Sequence, residues 1–185
     1  IGRTWRGFTI VANHGALVAR KGETSLTRLV QELTAGLAER EAITQRLLDF
    51  VTNEIAYDGR EASWDHETLK RANEVLMSGK SDCSGLAILY ASLLEQTSVD
   101  YRLLYLPGHI AVGVTGNFPN DNGLAFRLRN LVLHYAETTT RNFQIGRTLL
   151  ERDIAPDDLE YLQRPAPGAD ILDARTGRPL EPDED

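Results

Sequence analysis

The sequence predicts an α+β fold, with helices first and a mostly antiparallel sheet after them. Three observations carry that expectation. Between Leu26 and Leu76 apolar residues recur at three- and four-residue spacing, as on helices with one buried face. After Val99 the period changes to the alternation of strands. At the junction stands Gly79-Lys80-Ser81-Asp82-Cys83-Ser84-Gly85, which holds the only cysteine and runs straight into an apolar stretch, Leu86 to Leu94.

The elements follow in order. Trp5, Phe8 to Val11 and Ala16 to Val18 are rich in β-formers and flank Asn13-His14-Gly15, a turn signal. Residues 1–20 therefore read as a hairpin or an N-terminal extension. Ser25 is placed to cap a first helix, along which Leu26, Leu29, Val30, Leu33 and Leu37 line up. A second helix starts near Arg40, with Ile43, Leu47, Phe50, Val51 and Ile55 as its stripe, and stops at Tyr57-Asp58-Gly59. A third follows Asp65 and turns Leu69, Ala72, Val75 and Leu76 inward. Gly79 ends it, as a glycine past a helix C-terminus does.

A fourth helix begins at Cys83. It is apolar nearly all round, which predicts burial on most sides and a central place in the domain. Tyr101 to Leu106 and His109 to Val114 read as strands separated by Pro107-Gly108. Pro119 to Gly123 reads as a plain turn. Leu131 to Thr138 is a further strand, and Phe143 to Ile145 a short additional one. From about Pro156 onward Pro, Asp and Gly dominate, which predicts an extended or disordered tail over 156–185. The expected organisation is thus an extension over 1–20, a catalytic domain over 21–155, and the tail.

Composition narrows the function. The chain has 185 residues, 42% hydrophobic and 25% charged, with a net charge of -7. That size buries a core without staples. The negative balance argues against a nucleic-acid partner or an anionic membrane surface. A single cysteine excludes an internal disulfide and a Cys-rich zinc site, and the four histidines lack ligand spacing, so no metal is expected. No run approaches the length of a membrane-spanning helix, and none reads as a signal peptide. The first residue is Ile1 rather than Met, which leads to the expectation of a trimmed chain.

Three polar residues stand where chemistry is easily placed. Cys83 opens a buried helix, where free N–H groups and the helix dipole stabilise negative charge. His109 opens a strand, and an imidazole is the natural base for a thiol near neutrality. Glu137 ends the next strand and would supply the acceptor that fixes the imidazole's tautomer. If the two strands pair antiparallel, His109 and Glu137 come together at adjacent strands about 4.8 Å apart. A backbone N–H at Cys83 is one oxyanion donor, and Trp64, Tyr57 or Asn73 could supply the second. Asp82 is expected to turn away from the sulfur or bond to backbone. Tyr101, Tyr105 and Tyr135 are candidates to line the cleft, though aromatics at strand spacing are more often core.

Gly79-Lys80-Ser81-Asp82-Cys83-Ser84-Gly85-Leu86-Ala87, Gly108-His109-Ile110-Ala111-Val112 and Tyr135-Ala136-Glu137-Thr138-Thr139 together resemble the transglutaminase-like superfamily. The resemblance covers roughly Ile43 to Gly146. It implies a papain-like α+β fold with the sheet packed on the cysteine helix. It also implies thiol chemistry on amide carbonyls through a thioester, a peptide or protein amide substrate, and no cofactor. The roles of Cys83, His109 and Glu137 as nucleophile, base and orienting acid are carried over with it. The third residue is more often Asp in that family, and the usual Trp after the His is replaced here by Ile110. Two alternatives stay open. One is an inactive scaffold that binds a peptide or partner. The other follows from Asp82-Cys83-Ser84-Gly85-Leu86, which is also similar to cell-wall peptidases with a Cys-His-His set. His134 would then be the third residue.

Overall fold

The computed structural model describes residues 14–59, 70–106, 109–119, 125–128, 131–147, 172–173 and 178–179. Its helical part comprises α1 (Thr24–Leu33), α2 (Arg40–Glu54), α3 (Ala72–Ser78) and α4 (Cys83–Glu95). Every residue of α4 from Cys83 to Leu94 is buried. The apolar circumference demands this, since no face of the helix tolerates water. α4 touches α1, α2 and α3 as well as the sheet. Its N-terminus is capped by Asp82, whose Oδ1 accepts the Gly85 N–H at 2.9 Å. Asp82 is thereby committed to backbone, as expected.

The far end of α4 is held by side chains. Gln96 accepts the Gly22 N–H at 2.8 Å and the Thr27 hydroxyl at 3.1 Å, and donates to the Arg20 carbonyl at 3.0 Å. Ser92 Oγ accepts the Ala19 N–H at 3.0 Å. These bonds fasten residues 19–22 to α4. Residues 14–17 just before them form a helical turn. The expected second hairpin arm at Ala16 to Val18 is therefore absent: the segment coils on itself, with the Val18 N–H donating to the Gly15 carbonyl at 3.3 Å. The first arm lies outside the described residues.

Other boundaries differ in instructive ways. Glu23, not Ser25, precedes α1, and it makes no side-chain cap. After α2 the chain does not simply turn. Ala56–Tyr57 forms β1 and pairs parallel with Lys80–Ser81, β2, placing Ala56 opposite Lys80 and Tyr57 opposite Ser81. α3 starts at Ala72, and residues 60–69, including Asp65 and Leu69, lie outside the described residues. Gly79 closes α3 at φ 68°, a left-handed conformation that glycine adopts without a Cβ penalty.

The sheet contains β3 (Tyr101–Leu106), β4 (His109–Val114), β5 (Ala125–Leu128), β6 (Leu131–Ala136), β7 (Leu172–Asp173) and β8 (Arg178–Pro179). Their order is β5-β6-β4-β3-β7-β8, and every pair is antiparallel. The alternating stretches at 101–106 and 109–114 are strands with the expected bounds. β5 was read as part of no element. β7 and β8 lie within the segment expected to be a loose tail, yet β7 pairs with β3 through Leu104 with Asp173 and Tyr105 with Leu172. The expected strand at Phe143 to Ile145 is a buried loop instead. Gln45 on α2 supplies the partners a strand would have: its Nε2 donates to the Phe143 carbonyl at 2.8 Å and its Oε1 accepts the Ile145 N–H at 3.0 Å. The result is a mixed helix-and-sheet, α+β architecture.

Candidate active site

Cys83 is the first residue of α4 and is 7% exposed. Two features place it. The Asp82 cap sets the direction of the helix's first turn. Gly85 then lets that turn lie directly on Ser81, since a Cβ there would overlap the Ser81 hydroxyl and come within 3.2 Å of Val75 Cγ2. Ser81 is also the residue that β1 holds opposite Tyr57. The short parallel pair therefore sets Tyr57 opposite the residue two positions before Cys83.

His109 opens β4. The β4–β6 register pairs Val112 with Ala136, so one further step sets Glu137 beside Ala111. His109 and Glu137 are diagonal neighbours on one face, and a long side chain is needed to bridge that diagonal. Glu137 reaches it: His109 Nε2 lies 2.9 Å from Oε2 and 3.1 Å from Oε1. The Cys83 side chain acts on the same ring and raises its pKa. With Nε2 engaged by Glu137, the nitrogen that remains for the sulfur is Nδ1. The three expected residues are thus brought together in the order sulfur, imidazole, carboxylate.

The carboxylate is 1% exposed and saturated with donors. Tyr135 Oη–H donates to Oε2 at 2.6 Å, and the Thr139 N–H and hydroxyl donate to Oε1 at 3.1 and 2.8 Å. Burial pushes the Glu137 pKa up, but the bond and charge of His109, with the bonds from Tyr135 and Thr139, bring it below the usual 4.5. For His109, burial favours the neutral ring, yet hydrogen bonds to Cys83 and Glu137 and their charges raise its pKa from 6.5 to about 10. Charge on the imidazole is therefore the resting condition at neutral pH.

Two tyrosines sense the same charges. Burial and then Cys83, Glu137, Asp82 and Asp58 raise the Tyr57 pKa, and burial and Cys83 raise that of Tyr105. Tyr57 is half exposed, at 52%. Of the other candidates for a second oxyanion donor, Asn73 is exposed on α3, and Trp64 lies outside the described residues. His134 is elsewhere. It pairs with Val114 and Ala125, and its ring meets Phe118 edge to face at 5.3 Å. Being three residues from Glu137 on an alternating strand, it points to the other face. Among the described residues no group of three or more His, Cys, Asp or Glu is placed to hold a metal ion, and no helix is long and apolar enough to cross a membrane.

The Tyr135 hydroxyl is a supporting group that the sequence reading placed only as a possible cleft wall. The signal was available in principle, because a tyrosine two residues before a strand-end acid shares its face.

Comparison with known proteins bears on the family and the fold. The family model of the transglutaminase-like superfamily matches residues 27–118, a span that includes Cys83 and His109 and stops short of Glu137. No curated protein matches the sequence. Among solved structures, one from Parabacteroides distasonis described as "a putative protease" superposes with a TM-score of 0.50 at 14% identity. The alignment covers 78% of this chain and 32% of the other, so this chain spans about a third of that protein's length. At that identity the likeness speaks to the fold. Residues 27–118 of this chain are a transglutaminase-like superfamily domain.

Proposed function

We propose that this protein is a cysteine hydrolase that cleaves amide bonds in a peptide or protein substrate through a thioester on Cys83. The observation that carries the reading is the ring of His109, bonded to both oxygens of Glu137 and carrying a pKa raised by Cys83 as well as by Glu137. In this reading Cys83 is the nucleophile and His109 the group that manages its proton. The sulfur attacks the carbonyl carbon, and the oxygen takes the negative charge near the Cys83 N–H. The Tyr57 hydroxyl, aligned by β1 and β2, is the best-placed second donor. As the C–N bond breaks, His109 passes its proton to the leaving amine. It then takes a proton from water as that water attacks the thioester, and the acid product leaves with the thiolate restored. Glu137 positions the ring and balances its charge without reacting. The working part lies within 21–155.

The 7% exposure of Cys83 favours a second reading, in which the same fold is an inactive scaffold that binds a peptide. Iodoacetamide labelling at about pH 6, read by mass spectrometry, separates the two. An ordinary free thiol is almost wholly protonated there. Labelling of Cys83 far faster than glutathione supports the hydrolase, and labelling no faster than glutathione supports the scaffold. A third reading, the Cys-His-His peptidase, would require amide cleavage to survive in Glu137→Ala and vanish in His134→Ala.

A further inference from the structure

One oxygen of Glu137 serves two donors. Oε2 accepts His109 Nε2–H at 2.9 Å and the Tyr135 hydroxyl at 2.6 Å. Oε1 takes both donors of Thr139 and the longer contact from His109. The phenol is held firmly in this role. Tyr135 is 1% exposed, and its ring meets Phe143 edge to face at 6.1 Å. Phe143 is itself fixed by Gln45. A short bond from a hydroxyl to a carboxylate is among the stronger hydrogen bonds. Charge taken up by the phenol is charge that Oε2 no longer offers to the imidazolium.

This matters because His109 has two opposed duties in an amide cleavage. It must hold a proton while the thiolate attacks, and it must release that proton to the departing amine. A general acid works best with a pKa near the working pH, and His109 is already held up to about 10. Any further pull from Glu137 would make it a poorer acid.

We propose that Tyr135 is a positioning residue that tunes His109: by sharing Glu137 Oε2 it loosens the carboxylate's grip on the imidazolium proton. This rests on the reading of Cys83 and His109 as the reacting pair. Among the described residues, the other groups acting on the carboxylate and ring are Cys83 at the mouth of α4, Thr139, and Tyr57 on β1, on which Asp58 and Asp82 also act, while Tyr105 on β3 feels Cys83. Of these, Thr139 bonds Oε1 and leaves Oε2 to Tyr135 and His109.

The test is an NMR titration of the His109 ring in histidine-labelled protein, with and without Tyr135→Phe. The midpoint is expected to rise by about half a unit to one unit in the variant. Amide hydrolysis, whose leaving group needs the proton, is expected to slow about tenfold. Hydrolysis of an activated ester of the same acyl group, and iodoacetamide labelling of Cys83, should stay within about twofold. A ring-fluorinated tyrosine at position 135, a stronger donor, should move the midpoint the other way, and it serves if the Phe variant does not fold. A midpoint that stays or falls in Tyr135→Phe overturns the proposal, as does an equal loss on amide and ester. If the midpoint moves as expected in a protein without amidase or esterase activity, the tuning stands and the hydrolase reading fails.

Discussion

Burial and ionisation pull Glu137 in opposite directions, and its four donor groups decide the contest for the charged form. Removing the carboxylate with Glu137→Ala leaves the donors of His109, Tyr135 and Thr139 without their acceptor in a closed site. Breaking such a buried pair costs about 3–5 kcal/mol, measurable by urea unfolding. Glu137→Gln is milder in volume but removes the charge. The His109 midpoint should fall from about 10 toward 6.5, and amide cleavage should drop about 10³-fold or more, since the ring loses its orienting charge. The same pair makes stability depend on pH. His109 has a raised pKa in the folded protein, so its contribution is complete below 6.5 and is lost as pH rises through about 10. Unfolding free energy should therefore decline by a few kcal/mol over that interval, and the decline should be much shallower in Glu137→Gln. Tyr57, Tyr90 and Tyr105, also raised from 10.0, lose their contributions only above that value.

α4 shows how an element converts local spacing into a positioned sulfur. Its apolar circumference requires burial, Asp82 closes its N-terminus, and Gly85 admits Ser81 against its first turn. Alanine is the better helix former by about 1 kcal/mol, so propensity alone favours Gly85→Ala. The clash with the Ser81 hydroxyl outweighs it, and overpacking of this kind costs about 1–3 kcal/mol. A lower melting temperature and slower alkylation of Cys83 are expected, with partial recovery in the Gly85→Ala, Ser81→Gly double variant. Elements of this sort were legible in the sequence. Four helices and the strands at 101–106 and 109–114 each carry their own period, and Cys83, His109 and Glu137 stand at element ends where a reader can find them. What escaped depends on a partner distant in sequence. β5 exists because β6 pairs with it, and the 143–145 segment is a loop because Gln45, about a hundred residues earlier, completes its hydrogen bonds. Tyr135 is different: alternation alone puts it on the face of Glu137, two residues on, so its bond to the carboxylate was legible in principle.

On the scale of the whole molecule, the sheet begins and ends with strands far apart in sequence. β3 lies between β4, which bears His109, and β7, which comes from near the end of the chain. Sequence composition portrays 156–185 as a loose tail, because Pro, Asp and Gly signal little structure on their own and two-residue strands have no period to detect. Pairing supplies what composition lacks: Leu104 with Asp173 and Tyr105 with Leu172. Tyr105, whose hydroxyl feels the charge of Cys83, sits on that paired edge. If the segment were only a tail, truncation after residue 155 would leave stability and Cys83 reactivity unchanged. Removing β7 instead strips β3 of a neighbour and leaves its outer N–H and C=O groups open, a template for pairing with another chain. A truncated protein is therefore expected to melt at lower temperature and to elute as dimers or larger species in concentration-dependent size-exclusion chromatography. It should also alkylate Cys83 more slowly per molecule than the full chain, as the strand next to β4 loosens. A truncated protein that stays monomeric, keeps its melting temperature and labels at the full-chain rate would show that the pairing of β7 with β3 contributes nothing to the site.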